Sequence, residues 1–216
     1  MPEWETLAET EWLDQIAGCW LDAGSRALQS RGHFNVAMDA SDECLQLCRH
    51  LTGIDWPWSA TRILAVRENW VPAGHSRHCG SAIYRALYPQ KVSMLPWETE
   101  HMSHQQSVAR YAKALQKEIG ETPKMDLTLL ALSGNNTLAE LEAGENGIPE
   151  FELTSLYQIK GRGLPALGLT PRLLNASRNI VCISRGLNPP VTDTFRAHSP
   201  LQSLAAQDKV TFLHTR

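Results

Sequence analysis

The sequence lacks the features that mark membrane, secreted and nucleic-acid-binding proteins. None of its apolar runs approaches the roughly 18 residues that a membrane-spanning helix needs. Its formal net charge of -3, spread over mixed charges, offers no basic surface for a phosphate backbone. Residues 1–5 are acidic, whereas the start of a secretory signal is basic. We therefore expect a cytoplasmic protein that binds neither membranes nor nucleic acid.

The cysteines are too few and too irregularly spaced for a disulfide framework. There are five of them, an odd number, and none forms a CxxC pair. Reduced thiols in the cytosol explain this pattern better than disulfides do. Cys44 and Cys48 lie four residues apart on a predicted helix, so we expect both to pack in the core.

What the sequence does contain is an alternation of helical and strand-like segments. Apolar residues at three- and four-residue steps predict helices over 8–30, 77–88 and 102–119, with another near 191–206. Ser41 or Asp42 can cap a further helix that carries Leu45, Leu47, Cys48 and Leu51. Short apolar runs predict strands at 34–38, 63–66, 92–95, 125–132, 179–184 and 209–214, and the segments FELTSLYQI and LPALGLT also alternate like sheet. This order predicts an α/β fold with a mostly parallel sheet and helices on both faces. We expect one domain over residues 1–216, with the helix of residues 1–30 packed on it.

One loop stands where such folds usually place their functional sites. The strand-like stretch MDLTLLAL ends at Ser133-Gly134-Asn135-Asn136-Thr137, before a predicted helix. The carboxyl ends of parallel strands meet helix N-termini at this kind of position. The loop nevertheless carries only amides and hydroxyls, which suit hydrogen bonding or capping better than acid–base catalysis.

Five landmarks, in order and at matching distances, resemble the 6-phosphogluconolactonase family, relatives of glucosamine-6-phosphate isomerase. They are VAMDASDECLQLCRHL, the Trp-Pro connector near Trp56, ILAVRENWVP, MDLTLLALSGNNTLAEL and LGLTPRLLNASRNIVCISRG. The resemblance runs from about residue 31 to the C-terminus. It implies the fold of that group, no cofactor and no metal, and an activity on phosphorylated sugar lactones or amino sugars.

The first landmark departs from the family at the loop that would hold phosphate. In such lactonases this loop is a Ser-Gly-Gly-Ser-Thr-Pro type segment, whose glycines and helix N-terminus cradle the anion. The matching positions here run from Asp39 to Cys44, without either glycine and with three acids. Like charges about 4 Å apart cost about 4 kcal/mol near a protein surface, so this loop should repel phosphate. Asp42 and Glu43 also suit a simpler role, as acids in the first turn of their helix.

The other landmarks lack the family's titratable and basic groups. The resemblance places an acid at Arg67, an arginine at Asn69, the catalytic Asp and His at Asn135 and Thr137, and a further arginine at Ala166. Neither an amide nor an ordinary hydroxyl titrates near pH 7. Loss of a general base usually forfeits about 10²- to 10⁴-fold in rate. The positions that pack the backbone fit the family, whereas those that carry its chemistry do not.

Two main functional hypotheses follow, beside a third in which weak lactonase activity persists through water held by Asn135 and Thr137. The first is a catalytically degenerate member of the family, a non-catalytic binding or regulatory subunit in carbohydrate metabolism that pairs with an enzyme or with a second copy of itself. The alternative is a hydrolase or isomerase with changed chemistry on an unphosphorylated substrate, using Glu68, His75, His78 or Cys79. The residues expected to line a ligand site are Asp39, Ser41, Asp42, Arg67, Asn69, Ser133, Asn135, Asn136, Thr137, Arg172 and Arg185.

Two further side-chain sets have open interpretations. His75, His78 and Cys79 could provide three metal ligands, or Cys79 could be a nucleophile activated by His75. A zinc site normally has four ligands, so we expect no metal. Trp56, Trp58, Trp70 and Trp97 lie in or beside loops, where they either pack around the connectors or cover an apolar ligand or partner.

Overall fold

The fold is built on a parallel sheet of seven strands in the order β1-β11-β10-β6-β2-β3-β5. The computed structural model describes residues 5–132, 141–143, 152–159, 165–186 and 210–215. The strands of this sheet are β1 (Glu5–Leu7), β2 (Phe34–Met38), β3 (Thr61–Ala65), β5 (Ser93–Leu95), β6 (Leu127–Ala131), β10 (Ile180–Arg185) and β11 (Val210–Thr215). Every described strand pair in it is parallel, which confirms the predicted fold class.

The central strands are apolar because helices cover them. All five residues of β2 and of β6 are buried. The helices are α1 (Trp12–Arg31), α2 (Asp42–Leu51), α3 (Cys79–Leu87), α4 (His104–Ile119) and α5 (Pro171–Asn175), with a short 3₁₀ helix at Trp58–Ala60. Continuous apolar strands are what a parallel sheet buried on both faces requires. The helix predicted near 191–206 lies outside the described residues.

Local signals in the sequence set the ends of the helices. Gly32 ends α1 in the left-handed conformation, with φ of 74°, and its N–H bonds the Leu28 carbonyl. Ser103 begins α4 with a capping box shared with Gln106. Ser41 caps α2 by accepting the N–H of Cys44. These caps fix where the loops that follow β2 and β5 enter their helices.

A second sheet, which the sequence did not predict as separate, packs beside the first. It is antiparallel, in the order β4-β9-β8-β7, with β4 at Arg67–Asn69, β7 at Leu141–Ala143, β8 at Thr154–Ile159 and β9 at Pro165–Leu169. A single residue, Val66, separates β3 from β4, so the chain passes directly from one sheet into the other. The N–H of Val66 donates to Met38 of the parallel sheet, and its carbonyl accepts from Leu169 of the antiparallel one.

The tryptophans pack mainly against the protein itself. Trp56 contacts both Trp20 and Phe34 edge-on, and its indole N–H donates to Thr61. Trp97 stacks on Tyr111 with ring centroids 3.7 Å apart. Trp58 is buried, and Trp70 lies against the ring of His104. The packing interpretation therefore holds for these rings, with Trp97 also forming part of a cavity wall.

Candidate functional site

The loop after β2 is organised around a buried carboxylate. Asp39 is 5% exposed, and its two oxygens accept the backbone N–H groups of Ser41 at 2.9 Å and Ala131 at 2.7 Å. Ala131 ends β6, two residues before Ser133 in the sequence. Asp39 thus ties the ends of two neighbouring strands together at the carboxyl edge of the sheet.

The remaining acids of this loop belong to the start of α2. Asp42 is exposed in the first helical turn, where an acid complements the helix dipole. Glu43 is buried, and its Oε2 atom has no hydrogen-bond partner among the described residues. Of the predicted ligand groups here, Ser41 serves as the cap, Asp39 as an internal hydrogen-bond acceptor, and Asp42 alone projects into solvent.

The β4 strand places Arg67 and Asn69 against β9. Arg67 lies opposite Gly168, and Asn69 lies opposite Ala166. The Asn69 side chain donates to the Arg77 carbonyl at 2.6 Å, which ties β4 to the loop before α3. Both positions at which the resemblance implies an arginine, 69 and 166, are therefore register partners, and both carry uncharged side chains.

Glu68, in β4 of the antiparallel sheet, is buried more completely than Asp39, with 0% of its surface exposed against 5%. Its oxygens accept the N–H groups of Asn69 at 3.0 Å, Cys79 at 2.7 Å and Gly80 at 2.8 Å. Burial raises its pKa to about 7, although the backbone hydrogen bonds work in the opposite direction. Glu68 therefore acts as a carboxylate cap for the first N–H groups of α3.

His78 lies beside Glu68 and is the N-cap residue of α3. Its Nδ1 atom accepts the Ser81 N–H at 3.1 Å and lies 3.3 Å from Oε2 of Glu68. Because Nδ1 is the acceptor, the ring proton is assigned to Nε2. Burial lowers the pKa of His78. The two groups that approach each other are thus the Glu68 carboxyl, which protonates readily, and the His78 imidazole, which stays neutral.

The proposed nucleophile is not activated by this arrangement. Cys79 is buried, and desolvation raises the pKa of its thiol to about 11. Its Sγ atom lies 3.5 Å from the Asn69 amide nitrogen, whereas His75 is exposed and its Nδ1 accepts the Arg77 N–H. A catalytic thiol needs a low pKa and an adjacent base, so the geometry does not favour nucleophilic chemistry at Cys79.

The two remaining arginines of the predicted site lie at different places. Arg172 lies in the first turn of α5, immediately after Thr170 and Pro171. Arg185 ends β10, pairs with Glu9 and lies over the ring of Trp12, 5.9 Å from its centroid. Ser133, Asn135, Asn136 and Thr137 lie outside the described residues. The structure therefore brings together Asp39, Ser41 and the end of β6, and separately joins Glu68, Asn69, His78 and Cys79.

A cavity of about 360 Å³ opens beside the carboxyl end of β3. Glu68 and His78 contribute to its wall, together with Tyr84 and Arg85 of α3 and with Trp97 after β5. Sequence reasoning missed this cavity, because its wall joins the end of one strand, one face of α3 and the segment after another strand. The one available signal was that Tyr84 and Arg85 fall on the exposed side of a helix whose other side is apolar.

Neither a metal site nor a membrane span is visible in the described segments. They contain no group of three or more His, Cys, Asp or Glu side chains arranged to hold a metal ion. No helix within them is long and apolar enough to cross a bilayer.

The fold and the family model agree on what the chain is related to. Residues 8–189 match the model described as glucosamine-6-phosphate isomerases/6-phosphogluconolactonase. The 6-phosphogluconolactonase from Shewanella baltica superposes with a TM-score of 0.84 at 16% identity, covering 100% of this chain and 98% of that one. That from Trypanosoma cruzi gives a TM-score of 0.80 at 15% identity, covering 100% and 94%. That from Thermotoga maritima gives 0.75 at 15% identity, covering 98% and 99%.

No curated protein sequence matches the chain. The structural likenesses lie at identities at which only the fold is shared. The family model, however, spans most of the 216 residues. The chain belongs to the glucosamine-6-phosphate isomerase/6-phosphogluconolactonase family.

Proposed function

We propose that this protein has lost lactone hydrolysis and acts as a non-catalytic binding or regulatory subunit linked to carbohydrate metabolism. The observation that carries the proposal is the bonding of Asp39, whose carboxylate accepts the N–H groups of Ser41 and Ala131. The Ser41 amide lies in the loop where the resemblance places the phosphate cradle, and the Ala131 amide ends the neighbouring strand β6. The internal carboxylate thus uses a loop donor that a phosphate would need, and its charge repels a dianion.

The distribution of positive charge supports the same proposal. Asn69 and Ala166 face each other across β4 and β9, at positions where the resemblance implies two arginines. An arginine recognises phosphate through two parallel N–H bonds, and neither an amide nor a methyl group replaces it. The general base implied by the resemblance is also missing, because Asn135 and Thr137 occupy its positions.

The proposal also includes a cytoplasmic location and a protein partner. All five cysteines are free thiols, which suits the reducing cytoplasm. The partner would be a sugar-phosphate enzyme or a second copy of this chain, and the chain would act as one domain. Light scattering of the purified protein, alone and mixed with a 6-phosphogluconolactonase, tests both kinds of assembly.

The experiment that tests the loss of function combines a lactonase assay with thermal unfolding. We expect no hydrolysis of 6-phosphogluconolactone above the spontaneous rate, and no shift of Tm with 6-phosphogluconate or glucosamine 6-phosphate. A ligand at 100 times its Kd would stabilise the fold by about 2.7 kcal/mol, or about 5–10 °C for a chain of this size. Enzymatic hydrolysis, or a shift of that size with the phosphorylated sugars alone, would refute the proposal.

Two matched variants isolate the part played by the internal carboxylate. Asp39→Gly removes the carboxylate that accepts the loop amides, whereas Asp42→Ala removes an exposed acid three residues away. We expect Asp39→Gly to gain affinity for 6-phosphogluconate relative to Asp42→Ala, because only the first frees backbone donors. Equal affinities would show that charge alone, rather than occupation of the donors, excludes the anion.

A further inference from the structure

The cavity between α3 and the segment after β5 is separate from the loop where the family's chemistry would lie. Its wall includes Ala65 at the end of β3, whereas Asp39 and Asn69 do not contribute to it. Its volume of about 360 Å³ lies at the lower end of the roughly 300–1,000 Å³ range of small-molecule sites. It can therefore enclose a small ring-containing molecule but not a polymer segment.

The wall is mostly apolar and contains two aromatic rings. Trp97 is 4% exposed and is held in place by stacking on Tyr111 and by its indole N–H, which donates to the Ala65 carbonyl at 3.2 Å. Tyr84, in contrast, is 53% exposed on α3 and lies at the rim. A fixed ring inside and an exposed ring at the rim are suited to enclosing a planar apolar group.

His78, a residue of this wall, has one buried polar atom that lacks a partner among the described residues. The Nε2 atom of His78 is buried and makes no hydrogen bond within the described part of the chain. Its other nitrogen is occupied by the Ser81 N–H, so Nε2 carries a proton that can be donated. An unsatisfied buried donor destabilises the fold, and a ligand acceptor would remove this penalty once the ring turns Nε2 toward the cavity.

The charges around the cavity favour an uncharged ligand. Glu68 lies on the wall with both oxygens already bonded to backbone N–H groups, and Arg85 is exposed on the same helix face as Tyr84. Because an acid and a base both line the wall, neither an anion nor a cation meets only opposite charge there. A charged ligand would also lose its hydration in a partly dry site.

We infer that this cavity is a binding site for a small, uncharged, ring-containing molecule that bears a carbonyl acceptor directed at Nε2 of His78. The ring packs between Trp97 and Tyr84, and the carbonyl satisfies the buried imidazole donor. The site goes beyond the proposed function, because it uses none of the residues that have replaced the sugar-phosphate chemistry. It gives the chain a ligand that does not depend on the phosphate-binding loop.

Three probes test the inference: benzamide, which is uncharged and has a carbonyl; benzoate, which is charged; and toluene, which has no acceptor. Binding is followed by NMR through the indole N–H resonance of Trp97, assigned with the variant Trp97→Phe. We expect saturable shifts with benzamide at millimolar concentrations, weaker binding of toluene, and the weakest binding of benzoate. The inference is overturned if none of the three probes gives a saturable shift, or if benzoate binds most tightly.

Matched variants locate the site and its donor. Tyr84→Ala removes the ring at the rim, whereas Tyr88→Ala removes a ring that is 74% exposed but does not line the cavity. His78→Asn keeps a side-chain acceptor that can cap α3 but removes the Nε2 donor. We expect Tyr84→Ala and His78→Asn each to weaken benzamide binding about tenfold, while Tyr88→Ala leaves it unchanged and His78→Asn leaves toluene unchanged.

The contrary results are equally specific. Equal losses for the two tyrosine variants would place the probe outside the cavity. An equal loss of toluene and benzamide in His78→Asn would show that the histidine shapes the cavity without donating to the ligand. Unchanged unfolding temperatures, measured for each variant without ligand, confirm that the comparison is made between folded proteins.

Discussion

Replacing Glu68 by glutamine should change how the stability of the protein depends on pH. The carboxyl is fully buried, at 0% exposure, and burial raises its pKa from the ordinary value of 4.5 to about 7. A carboxyl with a raised pKa binds its proton more tightly in the folded state than in the unfolded chain. The native protein therefore gains stability from Glu68 below pH 4.5 and loses that gain as the pH rises through about 7.

The size of the effect follows from the change in pKa. Because one pKa unit corresponds to about 1.4 kcal/mol, the rise from 4.5 to about 7 is worth about 3 kcal/mol. Glutamine resembles the protonated carboxyl in shape and does not titrate. The free energy of unfolding of the native protein, measured relative to Glu68→Gln, should therefore fall by about 3 kcal/mol between pH 4.5 and 7.5.

Urea unfolding at half-unit steps of pH measures this difference directly. The variant Glu121→Gln, in which an exposed acid after α4 is replaced, corrects for the general effect of losing one negative charge. If the difference in the free energy of unfolding between the native protein and Glu68→Gln stays constant from pH 4.5 to 7.5, the reasoning is refuted. It would mean that Glu68 is solvated, and that the cavity beside it admits enough water to restore an ordinary pKa.

Two further substitutions test packing and a buried charge. Gly24→Ala should destabilise by about 1–3 kcal/mol in thermal unfolding, because a Cβ at this position would lie 2.5 Å from Cζ2 of Trp56. A Cβ at Gly18, on the same helix, would have no atom within 4 Å, so Gly18→Ala should stabilise the protein by up to about 1 kcal/mol. Equal effects of the two substitutions would contradict the close contact between Gly24 and Trp56. Asp126→Asn should cost about 1.5–3 kcal/mol in urea unfolding, because its 2%-exposed carboxylate is paired with two partly exposed arginines and accepts a backbone N–H. Glu118→Gln, in a solvent-exposed pair, should cost less than about 1 kcal/mol, and a similar loss for both would argue against a special role for burial.

Much of the architecture could be predicted from local patterns. The run Phe34–Met38 is apolar and β-prone, and it forms a fully buried strand. Ser103 and Gln106 have the spacing of a capping box, and α4 begins there. Cys44 and Cys48 were predicted to pack in the core, and both are 0% exposed. Signals of this kind lie within a few residues of one another, so a sequence displays them directly.

The roles of the acids could not be predicted in the same way. Glu68 caps the start of a helix 11 residues later, and this requires β4 to turn out of the first sheet into the second. Asp39 accepts the N–H of Ala131, 92 residues away, because β2 and β6 are neighbours in the sheet. The sequence suggested that the acids near residue 39 repel phosphate. It gave no indication that one of them uses an amide donor of the loop and another at the end of β6.

The order of strands in the parallel sheet also determines when the protein can fold. Strand β2 lies between β3, its successor in the same sheet, and β6, which begins at Leu127. Strand β1 pairs with β11, so that Glu5 lies opposite Leu213. Such distant pairings require large loops to close before any hydrogen bond forms, which slows folding. We expect amides of β2 and β3 to become protected early during refolding, and those of β1 to exchange until residues 210–215 have joined the sheet.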